Sequence, residues 1–142
     1  MRTKGQDDLW KARITGNGAV LLGKNVACDA HEPSRPIRVI THAHRDHISG
    51  LSQSLRECSW VLMTEATRDL LAVLKRKDLP HLTNVLGLKY GREFAFGGEV
   101  IRLLKAKHII GAAQVLVEDE EGTRLLYTGD FKFPGTPVYE AD

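Results

Sequence analysis

The stretch VITHAHRDHISGL, residues 39–51, decides how the rest of the chain is read. It places His42, His44, Asp46 and His47 within six consecutive residues, directly after the apolar run IRVIT (37–41). A short β-branched run of this kind reads as a buried strand. In an extended segment side chains alternate from face to face, so His42 and His44 project to the same side. Asp46 and His47 lie where the loop bends and can face a neighbouring point. Imidazole nitrogens and carboxylate oxygens are good ligands for zinc and similar divalent cations. One short loop can therefore offer ligands to two metal ions lying close together. A lone histidine here would be an ordinary polar loop residue, but the set H-x-H-x-D-H is far more specific.

Working outward, ITGNGAVLLGKNVACDA (14–30) reads as strands broken by glycine turns, with Gly16-Asn17-Gly18 the strongest turn signal. Residues 49–58 begin with a helical turn, and WVLM (60–63) is another short apolar strand. Thr64 is placed as a helix N-cap with Glu65 in the first turn, where negative charge suits the dipole. Leu70, Leu71 and Leu74 follow at helical spacing, Lys75 to Lys77 sit near the C-terminal end, and Pro80 is expected to stop the helix. Beyond it lie two hairpins: 94–96 with 100–104 around Gly97-Gly98, and 114–118 with 124–127 around an acidic turn ending in Gly122. The expectation is a mixed α/β domain with substantial antiparallel pairing.

A metal centre on the histidine loop needs further ligands, and two candidates end apolar strands. His108 sits between VIRLL and IIGAAQVLV, and Asp130 follows LLYTG, where Gly129 permits a close backbone approach. Taken singly, each is more often a junction or turn residue than a ligand. Asp29, closing VACDA, has the same two readings, and His81 reads as a loop histidine rather than a ligand offered to a partner chain.

Length and composition bound the rest. A chain of 142 residues is one domain long, and 42% hydrophobic with 27% charged residues is ordinary globular usage. Its net charge of +2 is too small to argue for nucleic acid by itself, and Lys75-Arg76-Lys77 reads as a solvated helix face. Cys28 and Cys58 lack close metal spacing and read as buried thiols without an assigned role. No apolar run approaches a membrane span, and the polar start MRTKGQDDLWKAR is unlike a secretory signal, so a cytoplasmic protein without membrane contact is expected.

The segment His42-Ala43-His44-Arg45-Asp46-His47 resembles the signature of the metallo-β-lactamase fold hydrolases. Within them, MTEATRDLL (63–71), LKYGREFAFGGEVIRLLKAKHIIGAAQVLVE (88–118) and LLYTGDFK (125–132) are similar to the β-CASP nucleases. That group includes ribonuclease J, the mRNA 3′-end processing nucleases and the ligase-associated DNA exonucleases. The resemblance implies an α/β fold, the metallo-β-lactamase-like αββα sandwich, represented here mainly by its N-terminal half. It also implies two zinc ions: His42, His44 and His108 on the first, Asp46 and His47 on the second, Asp130 bridging. Asp46 would in addition be catalytic, hydrogen-bonding a metal-bound hydroxide that attacks phosphorus in a nucleic acid, RNA or DNA. Asp29 would support a ligand histidine or its loop.

Two features depart from that family. Its common G-H-x-x-G-S pattern is replaced by Lys107-His108-Ile109-Ile110-Gly111-Ala112. The family's β-CASP insertion and C-terminal half have no counterpart after GDFKFPGTPVYEAD, so residues 1–142 are expected to form a single, partial domain. A missing second sheet would leave an apolar face to be covered by a homo-oligomeric or complementary chain. Two other functions stay open on the sequence: a non-catalytic, metal-stabilised assembly subunit, and a hydrolase of small esters or thioesters.

Overall fold

A computed structural model describes residues 10–132. The expected run into FPGTPVYEAD lies largely outside the described residues. Two β-sheets face each other. The first has six strands in the order β1 (Ala12–Ile14), β2 (Val20–Leu22), β3 (Val26–Cys28), β4 (Ile37–Val39), β5 (Trp60–Thr64) and β6 (Val85–Leu88). Strands β1 to β3 pair antiparallel, whereas β3 to β6 run parallel. The second sheet is antiparallel throughout, in the order β10 (Arg124–Tyr127), β9 (Ala113–Glu118), β8 (Glu99–Lys105) and β7 (Phe94–Phe96).

The inner faces interlock into one apolar core. Val26, Cys28, Ile37, Val39 and Leu62 of the first sheet meet Ile101, Leu103, Val115 and Val117 of the second. In β9, and in β8 up to the exposed Lys105 at its end, buried and half-buried residues alternate, the period-two pattern of a sheet with one covered face. The central strand β4 is buried on both faces. Its far side and that of β5 are covered by α1 (Leu51–Glu57) and α2 (Glu65–Leu74), where Leu55 and Leu71 pack on Ile40, Val61 and Met63. Each fully buried aliphatic side chain contributes about 1.5–3 kcal/mol.

Four sequence expectations change. The apolar inner face is covered, among the described residues, by the chain's own second sheet. The helical turn expected after Ser49 is a full helix, α1. The helix after Thr64 ends at Leu74, and Pro80 instead sits in a separate turn of 3₁₀ helix (Leu79–His81). Of its leucine stripe, Leu71 is buried but Leu74 is exposed. Strand β6, in NVLGLKY, has no alternating pattern and is not evident from the sequence. Both cysteines are buried and unpaired.

Polar contacts tie the sheets at both ends. At one end the buried Glu99 carboxylate accepts from the Lys24 and Asn25 amides at 2.9 and 3.0 Å, fixing the β2–β3 turn against β8. The Lys11 ammonium donates to Asp119 at 2.7 Å and to the Thr123 hydroxyl at 3.0 Å, joining the start of β1 to the β9–β10 turn. The opposite end holds the histidine loop.

Candidate metal centre

The six predicted residues converge at the end of the sandwich where the parallel strands finish. His42 follows β4, and His44 leads into a 3₁₀ turn, Arg45–His47, that carries Asp46 and His47. His108 lies in the loop between β8 and β9, and Asp130 follows β10. Ligand atoms of His42, His44, His108 and Asp130 all lie within 4.8 Å of one another. His44 Nδ1 and His108 Nε2 are 3.1 Å apart, and Asp130 Oδ2 is 3.6 Å from His42 Nε2. A second convergence adjoins the first. His47 Nε2 lies 3.3 Å from Asp46 Oδ2 and 3.3 Å from Asp130 Oδ2. Asp130 thus stands between the two groups. His81 is exposed in the turn before β6, at the other end of the parallel strands, and joins neither.

Asp29 sets the tautomers. Its backbone has φ +64°, a left-handed conformation that aspartate tolerates better than most residues. The buried carboxylate accepts the Thr41 amide at 2.8 Å on Oδ1. On Oδ2 it accepts the Thr41 hydroxyl at 2.7 Å, His47 Nδ1–H at 2.7 Å and the Tyr127 hydroxyl at 3.0 Å. The single hydroxyl proton of Thr41 is committed to the carboxylate. The 2.9 Å contact between Thr41 Oγ1 and His42 Nδ1 therefore has Nδ1–H as donor. Both histidines then carry their lone pair on Nε2, turned into the site.

That arrangement suits a cation. His42 is 1% exposed, and its Nε2 is buried without a hydrogen-bond partner. Burial, reinforced by His47 and His108, pushes its pKa down to about 4, so the imidazole is neutral and ligating at pH 7. His108 is shifted down by burial and by its neighbour His44. His47 moves the other way, raised chiefly by its hydrogen bond to Asp29. Its Nε2 faces two carboxylates, an arrangement that favours positive charge between them, supplied by a proton on Nε2 or by a bound cation. A nitrogen-rich group sharing one carboxylate with an oxygen-rich group is a donor set suited to zinc-like divalent ions.

The second sheet's ligands are held by residues that do not stand out in the sequence. The hydroxyls of Thr64 and Thr67 reach the Gly111 carbonyl at 2.8 and 3.1 Å, and the Tyr90 hydroxyl donates to the Ala112 carbonyl at 2.8 Å. These contacts pin the His108 loop without the serine and glycine of the family pattern. Gly111, at φ +81°, has no room for a side chain: a Cβ would meet the Thr67 amide nitrogen at 2.8 Å. Gly129, at φ +58°, lets the chain pass beside Thr41 before Asp130. The signal available in the sequence was Thr64, placed there as a helix N-cap, with a second threonine, Thr67, three residues on; their burial is seen only in the structure.

Comparison with known proteins fits this geometry. No protein-family model matches the chain. It is 46% identical over 59 residues to an uncharacterized protein of the lig 3′ region from Acidianus ambivalens, covering 40% of this chain and 42% of that one. It is 34% identical over 125 residues to the 5′ exonuclease Apollo of Gallus gallus, covering 82% of this chain and 25% of Apollo. With ribonuclease J 1 of Streptococcus pyogenes it shares 30% over 104 residues, 70% of this chain and 18% of that protein. A metallo-β-lactamase of Cronobacter sakazakii with a HARLDQ motif superposes with a TM-score of 0.64 at 18% identity, covering 84% of this chain and 58% of that one. The chain has the metallo-β-lactamase fold. Its sequence relatives include proteins named as nucleases, as the β-CASP resemblance implied. It spans less than half of the Acidianus protein and a quarter or less of Apollo and of ribonuclease J 1.

Proposed function

We propose that the chain is the metal-binding part of a nucleic-acid phosphodiesterase that uses two divalent ions, most simply zinc. The observation that carries this is the pair of adjoining ligand groups sharing Asp130, with the orphaned Nε2 of His42 facing one of them. His42, His44 and His108 would hold one ion, Asp46 and His47 the other, with Asp130 between. Bound ions of this kind supply Lewis acidity toward a phosphate and an activated water.

The remaining work falls to side chains of this chain. Asp46 is 80% exposed at the mouth, where its carboxylate can accept a proton of the attacking water and orient it toward phosphorus. Asp29 and Thr41 keep His47 and His42 in the ligating tautomers. The Lys132 amide donates to the Lys107 carbonyl at 3.0 Å, which sets two exposed lysines beside His108 and Asp130. Lys132 bears directly on the electrostatics of His108. Cations at this rim suit a polyanionic substrate better than a neutral ester. Among the described residues no helix is long and apolar enough to cross a membrane.

The test is hydrolysis by the zinc-loaded protein of a single-stranded oligonucleotide and of bis-p-nitrophenyl phosphate, set against a thioester. Phosphodiester turnover abolished in His44→Ala supports the proposal. Thioester turnover alone, or phosphodiester turnover undiminished in His44→Ala, overturns it.

A further inference from the structure

A second buried polar network lies behind the ligand loop, on the helical side of β4. Arg38 sits in the middle of that strand, between Ile37 and Val39, and is 1% exposed. Its Nη1 donates to the Ser49 carbonyl at 2.8 Å and to Ser54 Oγ at 3.0 Å, and its Nη2 to the His47 carbonyl at 3.3 Å. With His31 Nε2–H committed to the Glu57 carboxylate, Nδ1 of the neutral ring accepts the Ser54 hydroxyl proton at 2.8 Å. His31 Nε2–H in turn donates to the Glu57 carboxylate at 3.0 Å. The network runs from the surface of α1, through the interior, to the backbone that carries His47.

Packing does not explain an arginine there. The neighbouring side chains on that face of the sheet, Ile40, Val61 and Met63, are apolar. The Arg38 Nε is buried without a partner, so the guanidinium is desolvated at a cost that its contacts only partly offset. An aliphatic residue would satisfy the core better. What the guanidinium alone supplies is a fork reaching two successive turns of the loop, the carbonyls of residues 47 and 49. His47 is thereby held twice, at its ring by Asp29 and at its carbonyl by Arg38.

From this we infer that Arg38 is a positioning residue for the second cation group, Asp46 and His47, and that the ligands His42, His44 and His108 do not depend on it. The inference rests on the two-ion reading above and assigns control of the second ion to a residue that touches neither ion. It distinguishes the two groups by origin. His42 lies three residues past β4 beside Thr41, whose carbonyl accepts the Ala113 amide, and the His108 loop is pinned at Gly111 by Thr64 and Thr67, whereas Asp46 and His47 ride on a three-residue turn that needs an anchor.

The experiment is zinc uptake by the full chain, measured by equilibrium dialysis with metal analysis, for wild type, Arg38→Met, Arg38→Lys and Ser54→Ala. Circular dichroism and melting are recorded on each. The wild type is expected to take two zinc ions per chain. Arg38→Met and Arg38→Lys should keep one ion at wild-type affinity and bind the other about 10–100-fold more weakly, the usual effect of losing support behind a ligand. Ser54→Ala, which leaves both carbonyl contacts in place, should hold both ions as the wild type does. Unchanged second-ion affinity in both arginine variants overturns the inference and leaves the two-ion reading standing. Parallel loss of both ions, or failure of both variants to fold, also overturns it, by showing a general structural role. A wild type that saturates below two ions overturns the two-ion reading, and this inference with it.

Discussion

Asp29 is the residue on which the candidate metal centre turns. One carboxylate takes four donors, two of them from Thr41 and one each from His47 and Tyr127. A buried acceptor of that kind holds its donors in one geometry, and neutralising it leaves some of them without a match. Asp29→Asn preserves shape but presents a donor where an acceptor is needed, so divalent-metal affinity should fall about 10–100-fold in a zinc titration. Tyr127→Phe removes one donor and leaves the other three. It should cost about 1 kcal/mol in chemical denaturation and lower metal affinity less than Asp29→Asn does, because the Ala113–Thr41 bond still aligns the sheets. The sequence showed His42, His44, Asp46 and His47 together because they are neighbours along the chain. Thr41 and Tyr127 could not be read in the same way, since their value lies in a contact with Asp29 that spans 12 and 98 positions.

Among the elements, helix α2 serves the site from a distance. Thr64 caps it, accepting the Thr67 amide at 3.2 Å, while its own proton reaches the Gly111 carbonyl. Thr64→Val should therefore remove a cap and a loop contact together. A loss of about 1–2 kcal/mol in stability is expected, with weaker metal uptake through His108. Gly111→Ala meets a backbone nitrogen and adopts an unfavourable φ. It should destabilise by roughly 1–3 kcal/mol, measured by urea unfolding, and it should displace His108. The legible elements were those with a local cause. The hairpins followed from glycine turns between alternating strands, and α2 from its cap. Strand β6 was illegible because it is half-buried and carries a glycine within four residues, Val85–Leu88. The end of α2 was misplaced because Pro80 forbids helix but does not require it up to that point.

At the scale of the molecule, the proposed ligands come from both sheets: four from the loop after β4, one from the β8–β9 loop and one after β10. A bound cation would then be a cross-link between distant parts of the chain. Stripping it with a chelator should lower the melting temperature by roughly 10 °C relative to protein held at free zinc a hundredfold above its dissociation constant. An unchanged melting curve would show that the site forms no such link. The sequence led to an expectation of an uncovered inner face because the family resemblance implied mainly the N-terminal half of the sandwich. The alternation in β8 and β9 already contained the cover. The outward face of the second sheet carries the half-buried Val100, Leu104 and Leu116, with Leu116 opposite the exposed Leu126.

The contacts at the site end have one more consequence. An apolar interior resists being pulled apart, yet it is non-directional and opposes sliding only weakly. Shear between the sheets is checked by directional bonds instead. The Tyr127 hydroxyl is latched to Asp29, and the Ala113 amide donates to the Thr41 carbonyl at 2.8 Å. A slip of one residue along a strand, roughly 3.3 Å, would carry His108 and Asp130 out of step with the histidine loop. The two latches therefore act as the alignment pins of the sandwich, placed where misalignment would be felt first.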